Sequence, residues 1–336
     1  IEWNQYSDEY QKQQSELYTA AITEPGLVTN ESVTVPTSQG INDGIPSVNQ
    51  ETNPLSLLLD DSETFNLATD ALDLVVSADG GDVVSASLPK FPVRLDTPDQ
   101  PFRLLENNNL RRYVAQSGLI GPDGIDASGN RARYASQGVT NNGDGSHTLT
   151  LAWTGNDPLG MQVYKRFTAQ DDRYDVDVSF DIRNGGSAVA SVTSFAQLKR
   201  DNTQAPDGNT GFGVSPYLGA ALTQPDERYT KLSFSDLNDE PFSKRLPAGW
   251  VAILQHYFVS AWIPSQKASH DYFASQLSNG DNVIGFKNQN IDIAPGAATI
   301  ITQTLYVGPK DQIALAELAE NLDLVIDYGW LWWLAQ

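Results

Sequence analysis

Met161-Gln162-Val163-Tyr164-Lys165-Arg166-Phe167-Thr168 and Tyr174-Asp175-Val176-Asp177-Val178-Ser179-Phe180-Asp181-Ile182-Arg183, closed by Asn184-Gly185-Gly186, decide the fold of this chain. In the second run Asp175 and Asp177 alternate with Val176 and Val178, the period of an extended strand with one wet and one dry face. The texture spreads in both directions. Upstream, Phe65, Leu67, Leu72, Leu74 and Val76 alternate with polar or small residues, and Asp79-Gly80-Gly81-Asp82 supplies a turn before Val83. Thr148 to Trp153 follows the turn-forming Asn141-Asn142-Gly143-Asp144-Gly145. Val189 to Leu198, Trp250 to Trp262, Tyr272 to Leu277, Val283 to Phe286 and Thr299 to Val307 complete the set. Many short strands with turn signals between them, few helical patterns and 26 glycines predict a mainly β, antiparallel sandwich.

Two stretches interrupt the β texture. Asp201 to Lys244 is long, polar and punctuated by proline and glycine, as expected of a functional or mobile loop. Asp311 to Leu322 places Ile313, Leu315, Leu318, Ala319 and Leu322 at helical spacing opposite Glu317 and Glu320, with Asp311 at the end where the helix dipole favours an anion. It predicts a helix covering the sandwich. Residues 1–62 are dominated by Asn, Gln, Ser, Thr, Glu, Asp, Pro and Gly, too little apolar surface to offset ordering entropy. They read as a tether, with a polar helix expected over Trp3 to Ala20.

The last seven residues, Trp330 to Gln336, hold three of the seven tryptophans. Tyr328, Leu331, Trp332 and Ala335 share one helical face, and Trp330, Trp333 and Leu334 line another. Indole favours the membrane–water boundary, so Tyr328, Trp330, Leu331, Trp332 and Trp333 are the candidate membrane-interface residues. The other reading is a terminal helix docked on the domain's own core. No run of about 18 apolar residues occurs, so nothing here spans a bilayer by itself. Because the chain starts at Ile1 without a secretory signal, it reads as trimmed at its front as well.

The net charge of −21 argues against nucleic acid and against electrostatic docking on anionic lipid, leaving apolar contact at the C-terminus as the membrane mode. The absence of cysteine excludes disulfides, thiolate catalysis and cysteine-based zinc sites. His147, His256 and His270 fall in no metal spacing, and no nucleophile elbow or phosphate loop is present. Paired carboxylates such as Asp171, Asp172, Asp175 and Asp177 suit glycoside chemistry, yet Asp175 and Asp177 alternate with Val176 and Val178, as on an outward-facing, solvated strand edge. No catalytic residue, cofactor or metal is therefore assigned.

Several stretches, in order, resemble the large periplasmic domain of the YidC membrane insertase family. They include Ala71-Leu72-Asp73-Leu74, Gln100-Pro101-Phe102-Arg103-Leu104-Leu105 and Ser194-Phe195-Ala196-Gln197-Leu198-Lys199. The densest is Gly249-Trp250-Val251-Ala252-Ile253-Leu254-Gln255-His256-Tyr257-Phe258, with Leu305-Tyr306-Val307-Gly308-Pro309 and Asp327-Tyr328-Gly329-Trp330-Leu331-Trp332 towards the end. The resemblance implies a twisted β-supersandwich similar to galactose mutarotases, carrying a C-terminal helix and an amphipathic aromatic tail. It implies a tether over 1–62 after a first transmembrane helix, a sandwich over 63–308, a packing helix and connector over 309–326, and an interfacial segment over 327–336 before a second transmembrane helix. It further implies a location on the periplasmic side of the bacterial inner membrane. The implied partners are nascent membrane protein clients, the Sec translocon and its SecD–SecF accessory complex, the latter through a region near 202–249. Within that region only Thr223-Gln224-Pro225-Asp226-Glu227-Arg228-Tyr229 keeps the family pattern, which makes Pro225, Asp226, Glu227, Arg228 and Tyr229 the candidate partner contacts. Two alternatives stand beside this: a carbohydrate-binding or carbohydrate-active sandwich using Trp153, Trp250, Tyr257 and Trp262 as platforms, and a plain structural spacer.

Overall fold

The computed structural model describes residues 63–93, 97, 99–126, 130–155, 160–203 and 217–326. The tether, its expected helix over Trp3 to Ala20, and the aromatic tail lie outside the described residues. Two antiparallel sheets dominate. The 10-stranded sheet begins with β1 (Thr64–Ala68), β2 (Asp73–Ser77), β3 (Val83–Pro92), β4 (Pro101–Asn107) and β5 (Arg112–Ile120). It continues through β10 (Ala190–Arg200), β17 (Asn282–Lys287), β16 (Ser269–Gln276) and β13 (Phe242–Pro247), with β18 (Ile291–Ile293) also on β10. The 9-stranded sheet starts at β12 (Thr230–Leu232), β11 (Gly219–Leu222), β14 (Val251–Leu254) and β15 (Phe258–Ile263). It ends with β19 (Ala298–Pro309), β9 (Asp175–Asn184), β8 (Met161–Gln170), β7 (Ser146–Trp153) and β6 (Tyr134–Asn141).

Alternation explains which faces meet. Val176, Val178, Phe180 and Ile182 of β9 are buried, and β8 and β19 flank it on either side, so the acidic residues between them occupy the outer face of a central strand rather than a sheet edge. Asp177 there accepts from Thr304 Oγ1 at 2.9 Å and Asp175 from Arg173 Nε at 2.8 Å. The main core joins Leu74, Leu105 and Tyr113 of one sheet to Phe167, Val176 and Leu305 of the other. Trp262 of β15 crosses that core and donates its indole N–H to Gln197 O on β10 at 3.1 Å.

Three expectations are corrected. Asp201 to Lys244 is not one irregular excursion: β11, β12 and the start of β13 lie within it. Trp250 to Trp262 is not one strand but the hairpin β14–β15, and His256 sits in its turn rather than in a strand. Ile313 does not join the buried helix face; it is 75 % exposed, while Leu315, Ala319 and Leu322 are buried. The helix, α1 (Gln312–Leu318), is capped by Asp311, whose carboxylate accepts from the backbone N–H groups of Ile313 and Ala314 at 2.9 and 3.0 Å. A 3-10 turn over Leu322–Val325 follows.

A polar cluster is buried between the sheets. The Asp79–Asp82 turn brings Asp82 beside Arg131, which also bonds Asp126 at 2.9 Å. From β8, Lys165 donates to Gly80 O, Gly81 O and Ser117 O at 2.9, 2.8 and 2.9 Å. Glycine is needed at 81: its φ is +58°, and a Cβ there would lie 2.9 Å from Lys165 Cδ.

Candidate functional site

Trp250 anchors a region where the β11–β12 hairpin and the C-terminal segment, distant in sequence, come together. It follows a crossover in which the chain leaves β13 of one sheet and enters β14 of the other. Ala248 and Gly249 make the turn in the left-handed region, at φ 47° and 100°. The crossover is pinned on both sides. Tyr272 Oη donates to Ala248 O, while the Gln266 side chain donates to Gly249 O at 2.9 Å and accepts from its N–H at 3.2 Å. The Trp250 ring, fully buried, then donates its indole N–H to Glu320 O at 3.1 Å, just past α1.

Around that ring a second apolar cluster covers the outer face of β11, β14, β15 and β19. Ala252, Leu254, Val259, Ala261 and Ile263 meet Leu315, Ala319, Leu322 and Val325 of the C-terminal segment. This segment, as far as Ile326, is therefore part of the domain's packing.

Tyr229 leans on Trp250 with ring centroids 6.4 Å apart. It sits just below the tip of the β11–β12 hairpin, which is closed by reciprocal backbone bonds between Gln224 and Glu227 at 3.0 and 3.3 Å. Gln224 braces the tip, donating to Thr230 Oγ1 at 2.8 Å and accepting from Lys244 Nζ at 2.9 Å. Pro225, Asp226, Glu227 and Arg228 project from it exposed, and Tyr229 is half-buried. Lys231 Nζ lies 4.9 Å from the Tyr217 ring and 5.5 Å from the Tyr229 ring, within cation–π range of both. Between hairpin and C-terminal turn runs an open groove of about 520 Å³, lined by Glu227, Tyr229, Lys231, Leu324 and Ile326.

The five residues of the hairpin predicted as partner contacts are thus contiguous on the surface, and Glu227 and Tyr229 form one wall of the groove. Leu324 and Ile326 form the other. Tyr328, Trp330, Leu331, Trp332 and Trp333 lie outside the described residues, directly after the Ile326 wall. Sequence reading missed Trp250 as the anchor and Lys231, Leu324 and Ile326 as lining. Of the aromatic platforms suggested for carbohydrate, Trp250 and Trp262 are fully buried, and Trp153 and Tyr257 pack against the main core. His270 is also buried, its Nε2 2.8 Å from Ser265 O. Among the described residues no group of three or more acidic, histidine or cysteine side chains could hold a metal ion, and no helix is long and apolar enough to cross a membrane.

The fold and the relatives agree. A galactose mutarotase-like protein from Lactobacillus casei superposes with a TM-score of 0.50 at 8 % identity, covering 73 % of this chain and 100 % of that one, a likeness of fold alone. The membrane protein insertase YidC of a Marinomonas species is 40 % identical over 310 residues, 89 % of this chain and 56 % of that protein. That of Pseudomonas syringae is 36 % identical over 346 aligned positions, 100 % of this chain and 60 % of that protein. The chain accordingly spans little more than half the length of the curated relatives it matches. The family model described as the YidC periplasmic domain matches residues 64–336, and the chain belongs to that family.

Proposed function

We propose that this chain is the non-catalytic periplasmic portion of a membrane protein insertase and chaperone, held at the outer surface of the bacterial inner membrane. In this reading 1–62 is the tether from a first transmembrane helix, 63–308 the sandwich and 309–326 the connector. Residues 327–336 form a foot in the headgroup layer, leading to a second transmembrane helix. The β11–β12 hairpin, through Pro225, Asp226, Glu227, Arg228 and Tyr229, contacts the SecD–SecF accessory complex of the Sec translocon. Nascent membrane proteins are the clients. The observation that supports it best is the groove shared by this hairpin and the C-terminal turn. A partner bound to Glu227 and Tyr229 touches Leu324 and Ile326, the last residues before the aromatic foot, so partner and membrane attachment act on one packed unit. The buried Trp250 and Trp262 weigh against the carbohydrate reading.

Two measurements test this. Trp330→Ser, Trp332→Ser and Trp333→Ser together remove three interfacial indoles, and co-sedimentation with neutral phosphatidylcholine liposomes is expected to be lost while the β circular dichroism stays unchanged. Undiminished co-sedimentation would rule out the foot. In cells carrying the full-length protein, a photocrosslinker at Asp226 or Arg228 is expected to capture SecD or SecF, and one at Gln162, on the opposite part of the nine-stranded sheet, is not. Equal capture from both positions, or from neither, removes the hairpin contact.

A further inference from the structure

Lys165 stands at an inward position of β8, between buried Val163 and Phe167, and its side chain has no exposure to solvent. Its three N–H bonds go to three backbone carbonyls: Gly80 and Gly81 in the β2–β3 turn and Ser117 on β5. An ammonium has three protons for three acceptors; a neutral amine has two. The carboxylates that would hold the charge are engaged elsewhere. Asp82 accepts from Arg131 and from Gln116 Nε2 at 2.8 Å. Asp126 accepts from Arg131 and from the backbone N–H groups of Ala132 and Leu119, each at 2.9 Å. Among the described residues no carboxylate makes an ion pair with Lys165.

The charged and titratable groups facing it come from two sides of the packing. The β2–β3 turn gives Asp82, and the β5–β6 connection gives Asp126 and Arg131. At the head of β6 lies the Tyr134 phenol, whose ionisation burial, and then Asp126, disfavour. From β8 and β9 it meets only the faces of Phe167 and Phe180, at 5.4 and 5.2 Å. With Lys165 protonated the four ions balance, two positive and two negative; deprotonated, the cluster is left with one excess negative charge.

We infer that Lys165 is a proton-linked pin between the two sheets: its third carbonyl bond lasts only while the amine keeps its third proton, and releasing that proton to solvent frees one carbonyl. Burial, aided by Arg131 and opposed by Asp82 and Asp126, pulls the ammonium below the ordinary lysine value, to about 7. The folded value lies below the unfolded 10.5, so the folded chain has shed a proton that the unfolded chain still holds between about 7 and 10.5. The cost of burying the charge is fully present below that window and disappears as pH rises through it. The folding equilibrium constant therefore gains up to about ten-fold per pH unit from this one group.

The test is a pH titration of 15N-lysine side chains by NMR in the folded protein. One signal, protected from a soluble paramagnetic broadening agent and missing in Lys165→Met, is expected to titrate near neutrality. A protected signal that stays charged until the ordinary lysine range of about 10.4 overturns the inference. Should Lys165→Met fail to fold, protection from the broadening agent still singles out the buried amine. Urea titrations across the same pH range supply the second reading: wild type is expected to gain stability relative to Lys165→Met as pH rises, and parallel curves overturn it.

Discussion

Replacing Arg131 by methionine is expected to destabilise the sandwich by about 3–5 kcal/mol, the cost of breaking a buried ion pair from one side. Arg131 and its partners are almost wholly buried, with side-chain exposures of 8 % for Arg131, 8 % for Asp82 and 0 % for Asp126. The guanidinium also donates to Ser117 O at 2.9 Å and to Gly80 O at 3.3 Å, and stacks 5.4 Å over the Phe195 ring. Methionine fills comparable volume, so the loss is electrostatic and not a cavity effect. Two carboxylates then share the interior with Lys165 alone, which bonds neither. In thermal unfolding this corresponds to a fall on the order of 10 °C for a domain of this size. The decisive measurement is a double-mutant cycle: Asp82→Asn should cost less in the Arg131→Met background than in wild type, because neutralising the stranded carboxylate relieves the penalty. Additive costs would mean that the pair contributes packing and no charge balance.

Why this cluster escaped sequence reading is instructive. Alternation in β8 and β9 is plain in the residues, and so is the Asp79–Asp82 turn, because both are local signals. Lys165 carried a readable sign: it occupies an inward position between Val163 and Phe167. Its partners did not. Asp126 and Arg131 lie in an irregular connection without periodicity, and only the fold brings them to β8. The β14–β15 hairpin was hidden for a different reason. Its strands are buried on both faces: Val251, Ile253, Phe258 and Trp262 point into the main core, while Ala252, Leu254, Val259 and Ala261 lie under the C-terminal segment. A strand covered on two sides reads as a continuous apolar run, and Gln255-His256-Tyr257 lacks the glycine or proline that marks most turns.

The surface site was half legible. Pro225-Asp226 announced a turn, and family likeness singled out the five residues around it. The opposing wall comes from Leu324 and Ile326, about a hundred residues later in the chain, and no local pattern pairs the two. The aromatic tail was the loudest signal in the chain, yet what the fold adds is its root. The chain reaches Ile326 along a segment clamped to the sheet.

That clamp yields the second large effect. Trp250→Ala is expected to cost about 3–5 kcal/mol, the range for deleting a fully buried tryptophan. Its character should differ from that of the Arg131 change. The indole is the floor on which Leu315, Ala319, Leu322 and Val325 rest, and its N–H holds Glu320 O. The C-terminal segment touches the sandwich over one small cluster and has few other contacts, so it should open before the sheets do. Amide hydrogen exchange at Leu315 and Ala319, bonded to Asp311 O and Leu315 O, is expected to accelerate to the rate of an exposed turn. Amides of β8 and β9 should lose protection only by the global destabilisation. Trp250→Phe separates the two contributions: it keeps most of the apolar contact and loses the N–H bond, for about 1 kcal/mol. If the proposed function holds, Trp250→Ala should impair client insertion in the full-length protein, while liposome co-sedimentation of the present chain survives the same change, because the foot is intact but no longer tied to the hairpin. Unchanged exchange at Leu315 and Ala319 would mean that the clamp lies elsewhere, and the groove would lose its claim to join partner and membrane.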